Sequence, residues 1–201
     1  MAAFTRARYN RHTPMANTAI MQPYISRRRI QAAVRRLARA IERDYAPLVG
    51  TEPGQELVLM GTLKGSFVFL ADLARALRLP VAVDFVQMAS YGQGTTTTGE
   101  VRWLLKPGLD LRGRHVLAVE DIVDTGLTAV RLLEELQRHG PASLALCALL
   151  DKPGRRQVEV PIRYVGFVTD DVFVVGYGID YAERYRNLPD IRVLEHRSND
   201  P

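Results

Sequence analysis

The run Val116-Leu-Ala-Val-Glu120-Asp121-Ile-Val-Asp124-Thr125-Gly126-Leu127-Thr128 joins an apolar strand to a helix through two adjacent acids and a short Asp/Thr/Gly turn. Backbone amides at a helix start, with threonine hydroxyls beside them, make an anion cradle suited to a phosphate. The carboxyl end of a parallel strand is also where such sheets bind ligands. Adjacent carboxylates opening onto one crevice would suit two sugar hydroxyls, or a metal ion carried by the substrate. Alternatively, Asp124 or Thr125 only caps the helix and the acids are solvated. That accounts for a cap, but not for two acids closing a fully apolar strand. The run lacks the Gly-Lys-Ser/Thr of a Walker phosphate loop.

Leu63-Lys64-Gly65-Ser66 likewise follows an apolar strand and opens a helix. Lys64 is one of only three lysines, with Lys106 and Lys152, against 24 arginines. In a chain that writes its basic residues as arginine, a lysine at such a turn is a candidate for a specific task, although Lys106 lies in an ordinary Lys-Pro-Gly turn. A third segment is Phe173-Val174-Val-Gly-Tyr-Gly-Ile-Asp180-Tyr-Ala-Glu-Arg-Tyr-Arg186-Asn-Leu-Pro, with Asp151-Lys152-Pro153 upstream. Taken alone, its glycines form a weak turn signal, and Asp180 with Arg186 reads as a surface ion pair.

Together these segments resemble the hypoxanthine-guanine phosphoribosyltransferases, a branch of the type I phosphoribosyltransferases, over residues 24–196. The resemblance implies a transfer of phosphoribose from phosphoribosyl pyrophosphate (PRPP) to a 6-oxopurine, with Mg²⁺. It implies that Glu120 and Asp121 hold the ribose hydroxyls, while Asp124, Thr125, Gly126, Leu127 and Thr128 surround the 5′-phosphate. Lys64 and Gly65 would bind pyrophosphate, often after a cis peptide in relatives, and Arg186 would help. On the base side, Lys152 would donate to O6, Phe173 would stack on the ring and Val174 would offer its backbone. Asp180, with Glu120 and Asp121, would lie near the metal, held mostly through PRPP or pyrophosphate. Asp124 would act as general base at N7. The Lys152 ammonium can only donate, so it suits a 6-oxo group and leaves a 6-amino group unpaired. The polar stretch Ser90-Tyr91 to Glu100 matches the family's mobile lid, but its four consecutive threonines depart from the expected mixture. Relatives form homodimers and homotetramers. The rival reading is a non-catalytic regulator of the same fold that binds PRPP or nucleotides.

The elements that must position these residues alternate. Apolar residues Ile30, Val34, Leu37, Ala38, Ile41 and Tyr45 recur at helical spacing after a Ser26 cap and before Pro47. Strands are expected at 57–60, 81–88, 101–105, 115–119 and 144–150, with helices over 66–77 and from Gly126 to His139. Short β-like runs follow at 162–167, 173–177 and 192–194. This order predicts an α/β fold: a parallel-sheet core with helices on both faces, plus a small hood from the chain ends.

Composition fits one domain of 201 residues, 47% hydrophobic and 24% charged. Nine of the 27 basic residues precede Glu42 and no acid does, which leaves 18 bases against 22 acids, a body of about −4. A basic head on a mildly acidic body argues against a nucleic-acid face across the domain. Residues 1–22 are expected to be a disordered basic leader, and 23–201 a single phosphoribosyltransferase domain. No apolar run approaches the ~18 residues of a membrane span. Cys147 is alone in an apolar strand, so no intrachain disulfide forms, and a reducing cytoplasm is the default. The four histidines show no ligand or triad spacing.

Overall fold

The computed structural model describes residues 20–90 and 101–195. Six strands form the main sheet: β2 (Leu57–Thr62), β3 (Val81–Ser90), β4 (Val101–Leu105), β5 (His115–Val123), β6 (Ser143–Asp151) and β7 (Ile162–Val168). Their order is β4-β3-β2-β5-β6-β7, with every neighbouring pair parallel except β3 and β4. The antiparallel pairing of β4 is a difference from the all-parallel expectation. The ten residues between β3 and β4 are fewer than the dozen or more that a parallel crossover needs. The Ser90–Glu100 lid, apart from the backbone pairing of Ser90 with Val101, lies outside the described residues.

Each central strand is apolar on both sides, and alternation sends its side chains into two cores. Leu57, Leu59, Leu117, Val119, Cys147 and Leu149 pack with α1 (Arg27–Tyr45) and α2 (Phe67–Ala76). Val58, Met60, Val116, Ala118, Leu146 and Ala148 pack with α3 (Leu127–Gln137) on the opposite face. The α1 stripe is buried at all six expected positions. Ser26 Oγ accepts from Arg29 N at 3.4 Å and caps the helix, a contact typically worth ~1 kcal/mol. Cys147 is fully buried, and that burial raises its thiol pKa, as befits a small core hydrophobe.

A second sheet of three antiparallel strands forms the hood, in the order β1-β9-β8: β1 (Ile20–Ile25), β9 (Ile191–Glu195) and β8 (Val174–Val175). Residues 20–22, expected in the leader, belong to β1 and pair with β9 through Ile20↔Glu195 and Gln22↔Val193. The boundary of the folded part therefore lies at or before Ile20. The stretch 173–177 is a strand only at Val174–Val175, because Gly176 and Gly178 turn the chain at φ of 102° and 99°. Among the described residues, no helix is long and apolar enough to cross a membrane.

Candidate active site

The parallel strands β2, β5 and β6 deliver their carboxyl ends to one edge, and the expected residues collect there. β5 runs on to Val123, beyond the Val119 at which its pattern indicated an end. Glu120, Ile122 and Val123 remain in register with Ala148, Leu150 and Asp151 of β6, so the two acids sit within the strand rather than after it. Adjacent strand residues point to opposite faces. Glu120 accepts from the Thr62 hydroxyl at 2.9 Å and lines a cavity of about 170 Å³ with Asp124, Thr125, Gly126 and Thr128. Asp121 instead lies against Gly65, where a built Cβ would come within 1.9 Å of its carboxylate. The two acids thus flank the Lys64 loop and the Thr125 turn, and do not open side by side onto one crevice.

Both carboxylates are electrostatically unusual. Burial, reinforced by the neighbouring Asp121 charge, pushes Glu120 up to about 8, and the Thr62 hydrogen bond offsets this only in part. Burial also pushes Asp121 up to about 6. Backbone N–H donors and Arg186 oppose that rise, while Asp180 adds to it.

The turn between β5 and α3 has the geometry of an anion cradle. Gly126 is the N-cap of α3 at φ 88°, and a Cβ there would come within 2.9 Å of Val158 O. The Thr125 carbonyl accepts from Gln157 N at 2.9 Å, which ties the turn to the chain following β6. Leu127, the first residue of α3, is exposed, and Thr128 lines the cavity. Asp124 lines this cavity and also a larger one of about 440 Å³. Its Oδ1 is buried, facing Arg155 Nε at 3.3 Å without the alignment of a hydrogen bond.

The larger cavity holds Lys152, Phe173, Val174 and Asp180. Lys152 is buried, and its Nζ donates to Val172 O at 2.6 Å. Phe173 is half-exposed and meets Tyr181 edge to face at 5.5 Å. Two charged lining residues escaped the sequence reading: Arg155 and Asp171, themselves paired at 3.4 Å. The Pro-Gly-Arg-Arg turn directly after Lys152 was the available signal. The neighbouring Arg156 donates to Asp124 O at 3.1 Å and pairs with Asp151, so it braces the turn from behind.

The Leu63–Lys64 peptide is cis. Gly178 packs on this loop so closely that a Cβ would come within 2.3 Å of Gly65 O. Beyond Gly178 the chain brings Asp180 and Arg186 to the same side, where Asp121, lying against Gly65, feels both charges. Arg186 donates to Gly178 O at 2.9 Å and pairs with Asp180 at 2.8 Å, while its Nε is buried with no hydrogen-bond partner among the described residues. Of the expected lid pair, Tyr91 and the Ser90 side chain fall outside what is described. His115 Nδ1 meets Ser143 Oγ at 2.7 Å, away from these cavities.

With that geometry in hand, the comparisons with known proteins agree on one family. Residues 25–182 match the model described as the phosphoribosyl transferase domain. The hypoxanthine phosphoribosyltransferase of Salmonella typhimurium is 50% identical over 80% of this chain and 87% of its own length. The chain belongs to the hypoxanthine-guanine phosphoribosyltransferase family. Another member, from Mycobacterium avium, is 47% identical over 84% of this chain and 82% of its own. In three dimensions, the family's enzyme from Bacillus anthracis, with HEPES in its active site, superposes with a TM-score of 0.78 at 45% identity. That match covers 87% of this chain and 98% of the other. A ternary substrates complex of the Trypanosoma cruzi hypoxanthine phosphoribosyltransferase, a lysine-to-arginine variant, reaches 0.82 at 40% identity, covering 88% and 96%.

Proposed function

We propose that this chain transfers the 5-phosphoribosyl group of PRPP to hypoxanthine or guanine, releasing pyrophosphate and the nucleoside 5′-monophosphate. The observation that carries this reading is a buried ammonium, Lys152, beside a half-exposed aromatic face, Phe173, in a cavity that shares Asp124 with the phosphate-type turn. The cavity falls within the ~300–1,000 Å³ range of small-molecule sites. A base there would meet a donor for O6 from Lys152, a ring contact from Phe173 and backbone from Val174. The 5′-phosphate would occupy the cradle of Asp124, Thr125, Gly126, Leu127 and Thr128, with Glu120 and Asp121 at the ribose.

In the reaction, the bond from C1 of the ribose to pyrophosphate breaks as N9 of the base approaches, and C1 carries positive charge between the two. Lys64, the Gly65 backbone and Arg186 would stabilise the departing diphosphate. Arg186 Nε is buried with no hydrogen-bond partner among the described residues, an unmet donor that a ligand oxygen would satisfy. Asp124 would accept the N7 proton as general base. Closure of the Ser90–Tyr91 lid would exclude water from C1.

The donors for a metal are all carboxylates, Asp121 and Asp180 on the Lys64 side of β5 and Glu120 on the other, so they would meet an ion singly or through the substrate. Hard oxygen ligands suit Mg²⁺, which commonly uses one or two carboxylates with substrate phosphates and water. Among the described residues no group of three or more His, Cys, Asp or Glu is placed to hold a metal ion. When bound, Mg²⁺ supplies positive charge to the diphosphate oxygens. We further take residues 23–201, extended back to Ile20, as one domain, the assembly as a homodimer or homotetramer, and the location as the cytoplasm.

The test is a pyrophosphate-release assay with PRPP, Mg²⁺ and, separately, hypoxanthine, guanine, xanthine and adenine. Release with hypoxanthine or guanine, and little with adenine, is expected. Silence with all four bases would instead favour the regulator.

A further inference from the structure

The turn from Asp180 to Arg186 is held in a conformation its residues do not favour. Ala182, Glu183 and Tyr185 all lie in the left-handed region, at φ of 50°, 63° and 75°. Non-glycine residues avoid that region, so such a cluster persists only where its surroundings over-determine it. Here they do. The Asp180 carboxylate accepts from Glu183 N at 2.8 Å, Tyr181 and Arg184 exchange backbone hydrogen bonds at 3.2 and 3.0 Å, and Gly178 N donates to Arg186 O at 2.9 Å. The result is to aim one side chain. Glu183 Oε1 meets Lys64 Nζ at 3.0 Å, and Glu183 Oε2 meets Arg186 Nη2 at 3.3 Å.

A single carboxylate therefore bridges the two cations that the reading above gives to pyrophosphate, and this inference rests on that reading. The bridge spans residues from separate elements, Lys64 before α2 and Arg186 after β8. The carboxylate is 66% exposed, so the pairs it makes are of the weak, screened kind. An anion with more charge and more oxygens displaces it readily. We propose that Glu183 is a positioning residue that stands in for pyrophosphate: it holds Lys64 and Arg186 together in the ligand-free enzyme and yields both when PRPP or pyrophosphate arrives. A placeholder of this kind competes with the ligand, so it lowers affinity for the diphosphate by the fraction of molecules in which it is engaged. It also returns to the cations as product pyrophosphate leaves.

The experiment titrates the full chain with magnesium pyrophosphate by calorimetry, using wild type, Glu183→Gln, Lys64→Ala and the double variant. The KM for PRPP is measured on wild type and Glu183→Gln. Because Glu183 is exposed, thermal midpoints should coincide for the first two. Removing the competitor should tighten pyrophosphate binding by roughly two- to tenfold, the scale of one or two exposed ion pairs. The KM for PRPP should fall in step, with a smaller change in kcat. In the Lys64→Ala background most of that gain should vanish, since one of the two cations being guarded is gone. Unchanged or weaker binding by Glu183→Gln, with Lys64→Ala still impairing it, overturns the placeholder and leaves the site assignment standing. A full gain in both backgrounds also overturns it, since loss of a distant negative charge then suffices. If Lys64→Ala does not weaken pyrophosphate binding, the assignment of Lys64 fails, and the placeholder with it.

Discussion

At the seam between α1 and β7, Asp44 accepts from the Tyr164 hydroxyl at 2.8 Å and pairs with Arg163 at 3.0 Å and Arg43 at 3.2 Å. At the ligand edge of the same sheet, among the described residues, Glu120 accepts from the Thr62 hydroxyl and Asp124 Oδ1 has no hydrogen-bond partner. The titration of the two regions follows. The Tyr164 hydrogen bond chiefly, with Arg163 and Arg43 adding, holds Asp44 below the usual carboxylate range. Burial drives Glu120 the other way. Nearly every lone pair at Asp44 is used, so that carboxylate fastens two elements. The acids at the end of β5 are left with unused capacity at a cost to the ligand-free protein, which is the pattern expected where a ligand completes the set. Asp84 belongs with Asp44: it accepts from Phe85, Gly108 and Leu109 N–H groups at 2.8 to 2.9 Å and pins the turn before β5.

The contrast breaks most sharply at Asp124. Asp124→Asn keeps size and leaves the start of α3 untouched, since the N-cap there is Gly126 and no side chain caps it. If Asp124 takes the N7 proton, kcat of the forward reaction should fall ~10²–10⁴-fold with little change in PRPP affinity. A mutant with near wild-type kcat at saturating substrates would remove the general-base role from Asp124. Lys152→Gln comes next. Its ammonium, whose hydrogen bond among the described residues goes to Val172 O, is the base-side counterpart of the acids on β5. Replacing a charged donor by an amide typically costs ~1.5–3 kcal/mol, or about one to two orders of magnitude in kcat/KM for the 6-oxopurine. PRPP binding should barely move, and a collapse of PRPP binding would misplace Lys152.

How legible the molecule was in its sequence depended on range. The α1 stripe, the two-sided apolar strands and the Lys64, Asp124 and Lys152 turns are local patterns, and all fall at the expected elements. β1 was unreadable because Ile20–Gln22 acquires its strand from β9, at the opposite end of the described chain. β5 seemed to stop at Val119 because two acids ordinarily end a strand. Here the β6 ladder carries Glu120 and Asp121 on regardless, and their raised pKa values record the cost. Arg155 and Glu183 were missed for a related reason. Each is an ordinary surface residue in its own segment, and becomes part of the site only when a turn folds it onto Asp124 or Lys64.

The smallest expected effect compares the two regions directly through pH. Glu120 has an ordinary value of 4.5 and a folded value of about 8. Between those limits the folded chain keeps a proton that the unfolded chain has released. Its contribution to stability is therefore full below about 4.5 and is lost as pH rises through about 8. Asp44 has the opposite sign: its folded pKa is depressed, so its contribution is present above the ordinary carboxylate value and is lost as pH falls through the folded one. Thermal midpoints without ligand and with a chelator, from acid to mildly alkaline pH, should separate the two. Glu120→Gln can still accept from Thr62 but has no proton to lose. Its midpoint should match wild type near pH 5 and exceed it increasingly toward pH 8, by ~2–4 °C for each kcal/mol in a chain of this size. Asp44→Asn should instead lie slightly below wild type at neutral pH, with the gap closing on acidification. Parallel curves for Glu120→Gln and wild type would mean that Glu120 ionises in the folded chain as easily as in the unfolded one. The distinction between a satisfied seam and an unsatisfied site would then rest on Asp124 and Lys152 alone.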